Sequence, residues 1–169
     1  MGAETAPLRG DDATATVAAN PVFAHPSDLF RAYAEYGKRL GNLHLTYESV
    51  ELWPLEYVWD RDVPVSWRVE KMRLSKDRTE LRINDALTLR GIPPQVYEYR
   101  LGNRSALEWV VDQYQVKTDK RSGITSDPNT YSHDERYIVN LVCWVVRVSV
   151  ETVGIVNEIA KLPFEQGGT

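Results

Sequence analysis

The feature that most constrains this chain is the stretch from Arg136 to about Ala160, long, apolar and rich in valine. Ile138, Leu141, Val142, Val145, Ser149, Thr152, Val156 and Ile159 recur at helical spacing and line one face. A strand competes locally, because Val146, Val148 and Val150 alternate with Arg147, Ser149 and Glu151. Length decides for a helix, since strands rarely exceed about ten residues. Its most apolar part, Ile138 to Val146, contains Asn140 and reads as too short to cross a bilayer. A helix of this kind must be covered by the rest of the chain.

The sharpest local signals lie just upstream, in Tyr97 to Asn129, YEYRLGNRSALEWVVDQYQVKTDKRSGITSDPN. Ser105-Ala106-Leu107-Glu108 fits a capping box ahead of an apolar-periodic run. Leu107, Val110, Val111 and Tyr114 then mark the apolar face of a short helix, with Trp109 and Tyr114 expected in the core. Gly102-Asn103-Arg104 precedes the helix and brings a guanidinium to its start, where free N–H groups favour anions. Lys117-Thr118-Asp119-Lys120-Arg121-Ser122-Gly123 follows it as a polar, basic loop, and Asp127-Pro128-Asn129 is a turn. Two basic loops at the ends of one helix are suited to grip a phosphate backbone; solvated surface loops are the plainer alternative.

Earlier in the chain, residues 1–24 show no apolar period and read as a flexible tail or linker remnant. Pro26-Ser27-Asp28 opens a helix, with Ser27 or Asp28 as its cap, running to about Leu45. Leu29, Phe30, Tyr33, Tyr36, Gly37, Leu40 and Leu43 share one side, and Gly37 implies close packing against a neighbour. Tyr47 to Pro64 is aromatic but aperiodic and reads as a connection. Ser66–Leu74, Thr79–Ile83 and Ala86–Leu89 are strand-prone and separated by turn-like breaks, which predicts a small antiparallel meander. Pro94 is placed to start a helical turn leading to Tyr99. The expected fold is therefore α+β: an N-terminal helix, a small antiparallel sheet, a short central helix and a long C-terminal helix. Residues 25–162 form one domain, and 163–169 a second flexible tail.

Composition narrows the function. The net charge of −4 runs against the basic excess of most nucleic-acid binders, but its distribution softens the objection. Residues 61–121 carry 13 Lys+Arg against 9 Asp+Glu, between flanks of 4 against 9 and 3 against 6. Cys143 is alone, so an intrachain disulfide is excluded, and His25, His44 and His133 show no ligand spacing. No metal or cofactor site is expected. Phosphate-binding loop, nucleophile elbow, zinc-protease and dinucleotide motifs are all missing, and Asp-Pro-Asn-Thr-Tyr is not an adenine-methylation motif. No catalytic residue is expected. With no secretory signal pattern, the chain is expected in the cytoplasm, off the membrane.

The run YRLGNRSALEWVVDQYQVKTDKRSGITSDPN, followed by YIVNLVCWVVRVSVETVGIVN and preceded by LGNLHLTYE at Leu40–Glu48, resembles the C-terminal specificity domain of type ISP restriction–modification enzymes. The resemblance runs from about Leu29 to about Leu162. Those enzymes join nuclease, translocase and N6-adenine methyltransferase activities on one polypeptide, and their C-terminal domain recognises the DNA target. The resemblance implies double-stranded DNA as partner, together with the methyltransferase and helicase-nuclease domains of a parent enzyme. On that reading Arg104, Lys117, Lys120 and Arg121 contact phosphates mainly. Asn103, Thr118, Asp119 or Ser122 reach base edges, since Asn pairs with adenine and Asp accepts from cytosine, and Ser105 at the helix start is counted with them as a DNA-binding residue. The meander cations Arg68, Lys71, Arg73, Lys76 and Arg78 offer a second contact surface. A non-catalytic docking module without DNA readout is the alternative, and one continuous basic face distinguishes the first from the second.

Overall fold

The computed structural model describes residues 25–163. The expected tail over residues 1–24 lies outside the described residues, as does the expected tail beyond residue 163. The fold is α+β, as the sequence predicts. The long apolar stretch forms helix α3, Tyr137–Ile159, which buries Ile138, Val139, Leu141, Val142, Cys143, Val146 and Val148. At its full 23 residues it is long and apolar enough to span a bilayer, contrary to the expectation drawn from Ile138–Val146 alone; 61% of that apolar window is buried in protein. Here it serves as the core helix, with Val142 and Val146 in one cluster with Val69, Leu81, Leu89, Val96 and Leu107.

Helix α1, Pro26–Leu45, is capped two residues before Ser27, the earlier of the two caps its sequence signals imply. His25 is the cap, its Nδ1 accepting from the Ser27 N–H at 3.2 Å. Pro26 takes the first helical position, where its missing N–H costs nothing, and so displaces the cap from Ser27 or Asp28. The C-terminal half of α1 packs on α3 through Leu43, Val148 and Ile155, with Tyr36 and Leu40 alongside, and Arg39 reaches Glu158 at 2.9 Å. Gly37 does not mark a close approach: it is exposed, and a methyl group there would meet nothing within 4 Å. Gly37→Ala is therefore expected to stabilise the fold by about 0.5–1 kcal/mol, read as a higher urea midpoint.

The sheet has four antiparallel strands: β1 (Glu56–Trp59), β2 (Arg73–Leu74), β3 (Glu80–Arg82) and β4 (Leu87–Arg90), in the order β1-β4-β3-β2. β1 falls in the segment expected to be an irregular connection. It pairs with β4 so that Tyr57 stands opposite Leu89, which faces Leu81 on its other side. Leu81 and Leu89 are buried on that face while Tyr57 stays partly exposed, and the opposite face carries Glu80 opposite Arg90 and Arg73 opposite Arg82. Only the last two residues of the expected strand Ser66–Leu74 join the ladder. The rest is irregular, because side-chain amides replace the ladder. Asn84 Nδ2 donates to the carbonyls of Ser66 and Arg68 at 2.8 Å each, and Asn129 brackets Val69 on both its N–H and its C=O. A 3₁₀ turn, Pro94–Tyr97, follows the sheet as Pro94 predicts and buries Val96.

Candidate nucleic-acid interface

Two small hairpins flank one short helix. The first pairs β5, Arg100–Leu101, with β6, Arg104–Ser105, around Gly102 and Asn103; Gly102 takes φ +71°, which a side chain would resist. Ser105 caps α2, Ala106–Gln113, as the capping box predicts: its Oγ accepts from the Glu108 N–H at 3.2 Å, and Glu108 Oε2 accepts from the Ser105 N–H at 2.8 Å. The other oxygen of Glu108 accepts from the guanidinium of Arg78. Arg78 also lies 4.4 Å over the Tyr97 ring, and its carbonyl accepts from the Tyr97 hydroxyl at 2.7 Å. Its backbone sits in the left-handed region at φ 64°. Arg78 therefore ties the meander to the start of α2.

The second hairpin pairs β7, Lys117–Thr118, with β8, Thr125–Ser126. Its loop is a turn stapled by Asp119, whose Oδ1 accepts from the N–H groups of Arg121 at 2.7 Å and Ser122 at 2.9 Å. Those bonds, Ser122 first, hold the Asp119 carboxyl below the usual carboxylate range. Thr118 and Thr125 join through their hydroxyls at 2.9 Å, and the Ser122 hydroxyl accepts from the Ile124 N–H. At the hairpin base, Asp127 accepts from Asn129 Nδ2 and from Arg68 at 2.7 Å each, and these two, Asn129 first, hold its carboxyl low.

Asp112 on α2 draws the two hairpins together. Arg104 approaches it at 3.3 Å and Lys117 at 3.4 Å, so cations from both ends of the helix share one carboxylate. Lys120 and Arg121 stand exposed in the β7–β8 loop without a carboxylate partner among the described residues. Asn103 is exposed at its turn. Thr118, Asp119 and Ser122 are exposed but bonded within their hairpin. Ser105 is buried, with its hydroxyl committed to the cap, so it positions the helix rather than meeting a ligand. Of the meander cations, Arg68 and Arg78 are spent on Glu70, Asp127 and Glu108. Lys71, Arg73 and Lys76 have no carboxylate partner among the described residues.

Trp109, expected in the core, is 46% exposed, and Tyr114 is only partly buried. An eight-residue helix has a narrow inner face, here Ala106, Leu107 and Val110, and position 109 falls outside it. Ile124, which no periodicity marks, is 70% exposed beside the basic loop. Among the described residues no three His, Cys, Asp or Glu side chains converge as metal ligands.

A small α+β unit with cations gathered around one capped helix has the build of a recognition domain. The Type ISP C-terminal specificity domain model matches residues 21–141, and the chain belongs to that family. Among solved structures it is similar to the ATP-dependent Type ISP restriction–modification enzyme LlaBIII bound to DNA, with 39% identity and a TM-score of 0.70 over 79% of this chain. It is likewise similar to a nuclease-deletion mutant of the Type ISP enzyme LlaGI in complex with a DNA substrate mimic, with 41% identity and a TM-score of 0.69 over 79% of this chain. The DrdV–DNA complex follows at 29% identity and a TM-score of 0.62 over 83%. The chain spans only 9%, 12% and 15% of those three proteins. No curated protein matches the sequence.

Proposed function

We propose that residues 25–162 form a single specificity domain that recognises a duplex DNA target. In a cytoplasmic type ISP restriction–modification enzyme it would position that DNA for the N6-adenine methyltransferase and the coupled translocase-nuclease. The observation that carries this reading is the junction at Asp112, which fixes two cation-bearing hairpins on one helix. The relatives' DNA complexes support it. Lys120 and Arg121 are the phosphate contacts, with Arg104 and Lys117, both paired to Asp112, as further contacts. Asn103 and the polar loop around Asp119 are the groups that meet base edges.

Fluorescence anisotropy of duplex DNA across a salt series tests the reading. Lys120→Ala with Arg121→Ala is expected to weaken binding to any sequence and to flatten the log–log salt slope by about 1.8, two lost phosphate contacts. Enrichment of one sequence from a randomised pool separates target recognition from charge alone. A folded wild-type domain that binds no duplex at low salt would sink the proposal.

The docking alternative draws on another surface. An apolar groove of about 220 Å³ lies beside α2, lined by Tyr99, Leu101, Trp109, Tyr114, Leu141 and Val145 among others. Failure of DNA binding would make that groove the leading site.

A further inference from the structure

We infer that the outer face of the four-stranded sheet holds a second phosphate site, built from Lys71, Arg73 and Arg82, that seats a backbone phosphodiester of the same duplex. The inference rests on the DNA reading above and extends the footprint beyond the hairpins. Its first support is the register. Arg73 on β2 stands directly opposite Arg82 on β3, and like charges in opposed antiparallel positions destabilise a sheet. Asp85 offsets Arg82 alone, so an anion held at Arg73 would relieve the repulsion that remains.

The second support is the charge balance of the cleft these residues line. It measures about 190 Å³ and is bounded by Glu70, Lys71, Arg73, Arg82, Asn84 and Asp85. Both carboxylates are already engaged, Glu70 with Arg68 at 2.6 Å and Asp85 with Arg82 at 2.7 Å. The Asn84 amide is consumed by the backbone at Ser66, Arg68, Ala86 and Leu87. Lys71 and Arg73 therefore contribute positive charge that no described carboxylate offsets. The site lies at the sheet's edge, because β2 has no strand on its far side among the described residues.

The third support is position. The Val116 N–H donates to the Glu70 carbonyl at 3.0 Å, so the chain entering β7 lies against the segment that carries Lys71. Lys117 is the next residue. The hairpin cations and the sheet cations thus border the same stretch of backbone, where one duplex can meet both. Bidentate guanidinium contacts suit a phosphodiester, and Lys71 adds a point charge.

The test uses the full chain and duplex DNA, comparing wild type, Lys71→Gln with Arg73→Gln, and the hairpin double variant. The sheet variant is expected to lose affinity for every sequence alike and to flatten the salt slope by about 1.8, additively with the hairpin variant. Its melting temperature should stay level or rise, since a repulsion has been removed. If it binds like wild type while the hairpin variant fails, the sheet site is wrong and the DNA reading stands. If wild type does not bind, both fall. A lower melting temperature with an unchanged slope would make the pair structural and overturn the assignment. Saturable, Arg73-dependent binding of inorganic phosphate with no change in the DNA slope would reassign the site to a small phosphate.

Discussion

Replacing Asn129 with alanine is expected to destabilise the fold by about 3 kcal/mol, although the residue touches neither a catalytic group nor a free cation. The reason lies at Val69, which is 0% exposed and sits in a segment with no ladder partner. Its N–H donates to Asn129 Oδ1 at 2.9 Å, and its C=O accepts from Asn129 Nδ2 at 2.8 Å. One amide thus does the work of a neighbouring strand. Truncation leaves two buried backbone groups unpaired, each worth about 1–3 kcal/mol, with partial relief from water. Asn129→Asp keeps the acceptor, loses the donor and sets a second carboxylate beside Asp127, so it should not rescue. Urea unfolding with an unchanged m-value measures the loss, and amide exchange at Val69 localises it. A cost under about 1 kcal/mol would show that water replaces the amide.

The same interaction explains why part of the fold was hidden in the sequence. Signals that are local and repeated were legible. The capping box at Ser105 placed the start of α2 to the residue, the length and periodicity of the Val-rich stretch identified α3, and Pro94 marked its turn. Features settled by distant partners were not. Ser66–Leu74 has the composition of a strand, but Asn84 and Asn129 supply the bonds that a ladder would have supplied. β1 lies between prolines and gains strand form only by pairing with β4, about thirty residues on. Gly37 resembled a packing glycine because periodicity shows which face is apolar and not how far along it a neighbour extends.

The interface divides in the same way. Sequence located the cations, yet their pairing decides which are free, and pairing is tertiary. Arg104 and Lys117 meet on Asp112, Arg78 is drawn to Glu108, and Arg68 to Asp127. Only after those subtractions do Lys120, Arg121, Lys71, Arg73 and Lys76 stand out. Arg82, though paired with Asp85, lies beside them through register, which a slip of one residue would have moved to the other face.

Leu107→Ala is the second large effect, expected to cost about 3 kcal/mol. α2 has eight residues, too few for a helix to persist in water without tertiary support. Its capping box contributes about 1 kcal/mol, so burial of Leu107, 0% exposed, and Val110 must supply most of the rest. Leu107 packs in the cluster that holds Leu89 and Val142, where truncation leaves a cavity that the sheet and α3 cannot both close. Asp112 rides on this helix, so loosening α2 also loosens the spacing of Arg104 and Lys117. DNA affinity should therefore fall in a variant that has lost no charge, and amide exchange should quicken in α2 before α3. Trp109→Ala on the same helix is the control. Its side chain is half exposed, and its removal should cost under about 1 kcal/mol. Equal costs at positions 107 and 109 would mean that α2 presents a different face to the core, and the junction at Asp112 would then have to be redrawn.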